Sequence, residues 1–143
     1  MNKIRLFYGL LSLFTIIAGM CIYLVFRDIN NILIFKWFPI PEFIKPVIVK
    51  LPPSIITYVF LYNLPDMLWF VSGILLLRFI WFYKFKEQNI YIICFYLMGA
   101  VFELSQLSKN IPGTFDILDL LFMGIGAFVE GLLYNFYVTR RMI

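Results

Sequence analysis

Glu103, Gln106, Asp116 and Asp119 crowd into the stretch FELSQLSKNIPGTFDILDL, residues 102–120, of an otherwise oily chain. Paired carboxylates are what acid–base or metal-assisted chemistry requires, with Glu103 as general base or acid and the aspartates as oxygen ligands for a divalent cation such as magnesium or calcium. Glu103 and Asp119 are the candidate catalytic residues. The candidate binding set is Asp66, Glu103, Gln106, Asp116 and Asp119. No nucleophile and no phosphate loop accompanies them, and no resident cofactor is expected beyond such a cation. The chain has no His, which removes imidazole catalysis and the usual His-based zinc sites. Cys21 and Cys94 lack the spacing of a metal or redox motif and fall inside apolar runs, where free Cys packs as a small hydrophobe.

The elements that must position these groups follow from composition. Of 143 residues, 63% are hydrophobic and only 14% charged, and the mean hydropathy is +0.93, far from the soluble average. This is the composition of an integral membrane protein, with membrane lipid as its first partner. No serine-rich, glycine-rich or charged tract and no internal repeat marks a second unit, so residues 1–143 read as one domain. The +4 formal charge does not point to nucleic acid, because the basic residues stand singly or in pairs between oily runs, as membrane-flanking anchors do. The basic start resembles a secretory signal, but the apolar run from Leu6 to Phe26 is 21 residues long, too long for a cleaved segment. It reads as a retained transmembrane helix.

Four runs approach the length needed to cross the roughly 30 Å hydrocarbon core: residues 6–26, 66–83, 91–107 and 117–138. The connectors KFKEQN (84–89) and SKNIPGTFD (108–116) are short enough to force antiparallel neighbours. The expected fold is therefore all-α, four transmembrane helices in a small antiparallel bundle. Between helices one and two lies a Pro-rich, partly interfacial loop. In that loop ILIFKWF and SIITYVFLYN read as interfacial or re-entrant pieces, because prolines at 39, 41, 46, 52, 53 and 65 break a spanning helix. A fifth crossing over residues 47–63 is the rival reading. Lys3, Arg5, Lys84, Lys86, Arg140 and Arg141 fall in short flanks on one side, whereas most of the opposing basic residues spread through the long loop. That places both termini in the cytoplasm, and the carboxylate group on the other side.

Capping accounts for part of the acidic group. Asn63 and Pro65 with Asp66 resemble a helix start, and Thr114 or Asp116 with Asp119 resembles a capping box. Glu103 is different, because it sits near the C-terminal end of its own helix, where the macrodipole repels an anion. An ionisable residue inside a span costs about 2.5 to 3.5 kcal/mol and is expected to face a partner. Asp119, Gly126 and Glu130 lie within about 20° of one meridian at 3.6 residues per turn. Arg78 and Glu130 each lie about 18 Å inward from the outer start of their helices at 1.5 Å per residue, a depth that suits a structural pair or, equally, an Arg78 that snorkels alone to the cytoplasmic surface. Gly124, Gly126 and Gly131 suit close helix approach. Trp69, Trp81, Tyr62, Tyr83, Tyr91, Tyr134 and Tyr137 suit interface belts.

The spacing Glu103-x-x-Gln106, then Asp116-x-x-Asp119 and Gly126, resembles the VanZ-like family of small bacterial membrane proteins. That family's pattern runs E-x-x-Q, a short loop, and R-x-x-D-x-x-D-x-x-x-N-x-x-G. Gly113 stands here where the pattern has arginine and Met123 where it has asparagine, so the chain is a divergent match, and the missing arginine weakens any phosphate-gripping role. The LPDMLWF segment, with Asp66, is also similar to part of some VanZ-like proteins. The resemblance implies the bacterial cytoplasmic membrane, the cell envelope and an association with resistance to the glycopeptide teicoplanin; it supplies no reaction. The leading expectation is an envelope protein whose carboxylate group binds an envelope component, a lipid headgroup or a protein partner, with a homo-oligomer also open. The alternatives are a membrane enzyme acting on a lipid-linked substrate and a small proton or cation transporter using Glu103 and Glu130.

Overall fold

The computed structural model describes residues 3–26, 51–108 and 115–139, and every element among them is helical. Helix α1 spans Lys3–Phe26. A short α2, Ile55–Tyr58, passes through a π turn, Val59–Asn63, directly into α3, Leu64–Ile80. Helix α4 is Phe85–Ser105, ending in the 3₁₀ turn Gln106–Ser108, and α5 is Ile117–Thr139. Four helical stretches are long and apolar enough to cross a membrane: Lys3–Phe26, Ile55–Ile80, Glu87–Ser108 and Ile117–Phe136. They present oily side chains all round, as membrane helices do.

The second stretch corrects the expectation for SIITYVFLYN. This piece is not a separate element; it is the first part of a helix that continues through Pro65. Ser54 starts it, its Oγ accepting from the Thr57 N–H at 3.1 Å. A proline ring cannot tolerate the carbonyl four residues back in regular α geometry. The chain meets that demand by widening the preceding turn, in which the Leu64 N–H bonds to Val59 O, five residues back. Of the rival crossing over 47–63, the described portion is thus absorbed into the second stretch, and residues 47–50 lie outside the described residues. The other expectations for residues 27–50, including ILIFKWF and its basic anchors, lie outside them as well. The 84–89 connector is also mostly helix, since α4 begins at Phe85.

Helix α3 is the hub. A third of its most apolar window is buried, against 6% for the α4 stretch and 11% for α5. Arg5 donates to Phe79 O at 2.9 Å, Ser12 and Ser72 exchange hydrogen bonds near mid-helix, and the Tyr23 hydroxyl donates to Asp66 at 2.6 Å, so α1 and α3 run in opposite senses. In hydrocarbon, helices associate through close packing and hydroxyl hydrogen bonds rather than hydrophobic exclusion. The Ser12–Ser72 exchange and Gly19 serve that need. A Cβ on Gly19 would come within 2.6 Å of the Trp69 indole. Tyr8, Tyr23, Phe70, Ile74 and Leu75 form the apolar core, and Phe70 stacks on Phe95 of α4 at 5.1 Å.

Of the three glycines expected to admit a neighbouring helix, only Gly126 does so closely. A Cβ there would lie 2.6 Å from Val71 Cγ2 and 3.1 Å from Met67 Cγ, whereas among the described residues the nearest atom at Gly124 is 3.5 Å away and at Gly131 none lies within 4 Å. The meridian shared by Asp119, Gly126 and Glu130 explains the difference. It is the α5 face turned to α3, and Gly124 and Gly131 stand off it. Of the expected aromatic belts, Trp81 and Tyr91 stack at 4.6 Å near the α3–α4 turn, but Trp69 packs inward against Tyr23.

Candidate functional site

Glu103 is buried, 5% exposed, near the C-terminal end of α4. Its Oε1 accepts the backbone N–H of Asp116 at 3.0 Å, and its Oε2 accepts from Gln106 Nε2 at 3.0 Å. The first bond overturns the reasoning that capping could not explain this residue. Asp116 is the residue ahead of α5, so Glu103 caps a neighbouring helix rather than its own. In a capping box the residue three positions on returns a side chain to the cap's own N–H. Asp119 holds that position, yet the bond comes from Glu103 across the helix boundary. The carboxylate thereby sits at the positive end of the α5 macrodipole, which offsets the repulsion from the end of α4.

Asp116 makes the other half of the cap. Its Oδ1 accepts the Leu118 N–H at 2.9 Å, while its Oδ2 accepts from the Tyr58 hydroxyl at 2.8 Å and from Asn63 Nδ2 at 3.4 Å. Asn63 Nδ2 also donates to Asp119 Oδ1 at 2.7 Å. Asn63, expected as a cap, makes no capping bond with its side chain. The extra residue of the π turn carries it round to the aspartates instead, where it is fully buried and, among the described residues, its Oδ1 accepts no hydrogen bond. Glu103, Gln106, Asp116 and Asp119 are thus joined, through Asn63, in one hydrogen-bonded chain. Asp66 does not cap either, because its helix continues upstream; it accepts the hydrogen bond of Tyr23 from α1.

Among the described residues the donors to Glu103 and Asp116 are neutral: two carboxamides, a phenol and backbone N–H groups. Asp116 lies just ahead of the α5 span, and its carboxyl is held below the ordinary Asp value, first by the Leu118 N–H and then by Tyr58 and Asn63, with burial acting the other way. It is therefore an anion at neutral pH. Among the described residues no three Asp, Glu or Cys side chains gather as a metal ion would need. The arrangement is suited to attracting a cationic or donor-rich group.

At the opposite end, Arg78 and Glu130 are joined by two hydrogen bonds, Nε to Oε1 at 3.0 Å and Nη2 to Oε2 at 3.2 Å. Nη1 donates to Gln88 Oε1 at 3.0 Å and to Asn89 Oδ1 at 3.1 Å, Gln88 returns a bond to the Arg78 carbonyl at 3.3 Å, and the guanidinium lies 3.6 Å from the centre of the Tyr134 ring. Glu130 is 3% exposed.

Sequence reasoning missed Tyr23, Tyr58, Gln88 and Asn89, and read Asn63 and Tyr134 in other roles. Two of these carried a signal. Tyr134 follows Glu130 by four residues and so shares its helix face, and Asn63 is an amide inside an oily run just before Leu-Pro, where a widened turn is a natural solution. Gln88 and Asn89, in a stretch that reads as a polar connector, carried none. No protein-family model matches the chain, nor does any curated protein or any solved structure.

Proposed function

We propose that the chain is a VanZ-like integral membrane protein of the bacterial cell envelope, an antiparallel four-helix bundle in the cytoplasmic membrane with both termini cytoplasmic. Its carboxylate end faces outward and binds an envelope component bearing a positively charged, hydrogen-bond-donating group. One observation carries this reading: Glu103 holds the backbone N–H of Asp116, and Asn63 Nδ2 bridges the Asp116 and Asp119 carboxylates, so acidic side chains from two helices gather at the α4–α5 end, with only neutral donors to Glu103 and Asp116 among the described residues. Carboxylates gathered in this way draw a cation. The E-x-x-Q and D-x-x-D spacing supports the family reading, because Glu103, Gln106, Asp116 and Asp119 share one hydrogen-bond network. The family resemblance extends the proposal to glycopeptide resistance. The transporter alternative gains no support from Glu130, whose carboxylate is engaged by Arg78.

The test is to purify wild type and Glu103→Gln at matched abundance and identify co-purifying small molecules by mass spectrometry. Wild type should carry an amine-bearing species that the variant loses. Equal recovery from both proteins would overturn the charged-site reading and leave Glu103 as a cap alone.

A further inference from the structure

Arg5 is fixed in place by a small part of what its guanidinium can donate. Its Nε donates to the Phe79 carbonyl at 2.9 Å, close to the C-terminal end of α3, and the guanidinium lies 4.9 Å from the centre of the Phe79 ring. Gly9, one turn further along α1, admits that ring, since a Cβ there would lie 3.0 Å from Phe79 Cδ2. A guanidinium carries five N–H donors, and among the described residues those on Nη1 and Nη2 of Arg5 find no acceptor, although both nitrogens are accessible. Arg78 is the opposite case, with Nε, Nη1 and Nη2 all engaged. Lys3 is exposed two residues before Arg5, Lys84 is exposed in the turn after α3, and the first turn of α1 has no acidic residue. Among the described residues Glu87 is the exposed acid set against these charges, while Glu130 is taken up by Arg78.

Depth decides which anion reaches this open edge. The apolar run from Leu6 to Phe26, 21 residues, extends about 30 Å at 1.5 Å per residue, the thickness of the hydrocarbon core. With that run across the bilayer, Arg5 stands one residue outside it, at the level of the lipid headgroups. Leu6, Phe7 and Leu10 beside it are exposed, a surface for acyl chains to cover. We propose that Arg5 holds the phosphate of an anionic phospholipid through Nη1 and Nη2, with Lys3 and Lys84 supplying the positive field that favours a headgroup of net negative charge. The planar fork matches two phosphate oxygens, and because Phe79 sets its orientation beforehand, little side-chain freedom is lost on binding. An ethanolamine headgroup brings the same phosphate together with an ammonium that the lysines repel. A soluble phosphate ester has no chains to lie on Leu6, Phe7 and Leu10. The inference concerns the opposite end of the bundle from Glu103 and is independent of the carboxylate reading.

The experiment is native mass spectrometry of the delipidated full-length protein titrated with dioleoyl phosphatidylglycerol, dioleoyl phosphatidylethanolamine and the chain-free ester glycerophosphoglycerol. Wild type should bind phosphatidylglycerol at least about five-fold more tightly than either comparator, the factor expected for one basic residue at an anionic lipid surface. Arg5→Gln should bring phosphatidylglycerol down to the level of phosphatidylethanolamine. Because Arg5 also holds the Phe79 carbonyl, circular dichroism accompanies the variant, and phenylglyoxal labelling of wild type, read by peptide mass spectrometry, gives the answer without a substitution. Phosphatidylglycerol should slow modification of Arg5 relative to an equal concentration of phosphatidylethanolamine, and should leave Arg78, engaged by Glu130, unaffected. Equal binding of the two lipids, a folded Arg5→Gln that keeps the preference, or Arg5 labelling indifferent to phosphatidylglycerol each overturns the inference. Glycerophosphoglycerol binding as tightly as the intact lipid overturns a lipid as the ligand.

Discussion

At the Arg78 end a guanidinium meets a carboxylate directly, whereas at the Glu103 end carboxylates meet carboxamides, a phenol and backbone N–H groups. Both ends bury ionisable side chains between helices. The first uses nearly every hydrogen bond the guanidinium can donate, on Glu130, Gln88 and Asn89, and covers its face with Tyr134. The second, among the described residues, leaves Asn63 Oδ1 without a donor and gathers Glu103, Asp116 and Asp119 in one network. A closed network of this kind holds helices together, and the proposed binding belongs to the other end, where the described donors to Glu103 and Asp116 are all neutral. The contrast teaches that burial of charge is not by itself a sign of function. What distinguishes the two ends is whether the hydrogen-bonding and charge requirements are met within the described chain.

The largest effect should come from breaking the closed end. Removing one member of a buried ion pair leaves an uncompensated charge and costs roughly 3 to 5 kcal/mol. Arg78→Met should be the worse of the two single changes, because it strips Glu130 of both its bonds to Arg78, whereas Glu130→Gln leaves Arg78 the carboxamide oxygens of Gln88 and Asn89. The double variant should lose less than the sum of the singles, since neither charge remains. Thermal denaturation in detergent measures all three. Strictly additive losses would mean that the pair is not coupled, and the contrast between the ends would fail at its firmer side.

A smaller effect is expected at Glu103, where the structure separates shape from charge. Glu103→Leu strands the part-buried Asp116 N–H and the Gln106 amide, at a cost of about 1 kcal/mol or more. Glu103→Gln keeps an oxygen for the Asp116 N–H, and Gln106 can turn its own carboxamide to face the new N–H₂, so its stability should lie within about 1 kcal/mol of wild type. Unfolding midpoints of the two variants decide the matter. If Gln is as damaging as Leu, the negative charge itself holds α4 to α5, and this end is a structural device like the other.

Much of this arrangement was legible in the sequence, for reasons that differ by residue. Arg78 and Glu130 could be paired because depth can be counted from Asp66 and from the start of α5, although the helix carrying Arg78 continues upstream of Asp66 to Ile55. The grouping of Glu103 with Asp116 and Asp119 followed from a connector too short to separate the ends of α4 and α5. The capping bond from Glu103 to Asp116 was not legible, because capping rules describe contacts along one helix and this one passes between two. The continuation through Pro65 was missed because proline was weighed as a breaker in regular α geometry, and a single wider turn removes the clash while rotating Asn63 toward the aspartates. Gln88 was hidden by its neighbours, since Lys84, Lys86 and Glu87 make the stretch read as a solvated connector.

The smallest effect concerns Asp116 and pH, and it tests whether the open end depends on charge at all. The Asp116 carboxyl is held below the ordinary Asp value of 3.8, chiefly by the Leu118 N–H, with the Tyr58 and Asn63 donors adding to it. A carboxyl depressed in the folded state contributes stability that is fully present above its unfolded value and is lost as pH falls through its lower folded value. Between pH 7 and pH 5 this group should therefore change nothing, and its contribution should fade only below about 3.8. Asp116→Asn supplies the reference. Asn caps a helix about as well as Asp, so its Oδ1 keeps the Leu118 N–H, but its amide meets two donors, Tyr58 and Asn63, of which only the tyrosine hydroxyl can reverse. Wild type should therefore unfold at a modestly higher temperature than Asp116→Asn at pH 7, and the gap should narrow as pH is lowered from 4 to 3. Subtracting one curve from the other removes the titration of the remaining acids common to both. A gap that stays constant down to pH 3 would show that Asp116 acts through hydrogen-bond geometry rather than charge, and the carboxylate end would then resemble the Arg78 end more closely than the present contrast allows.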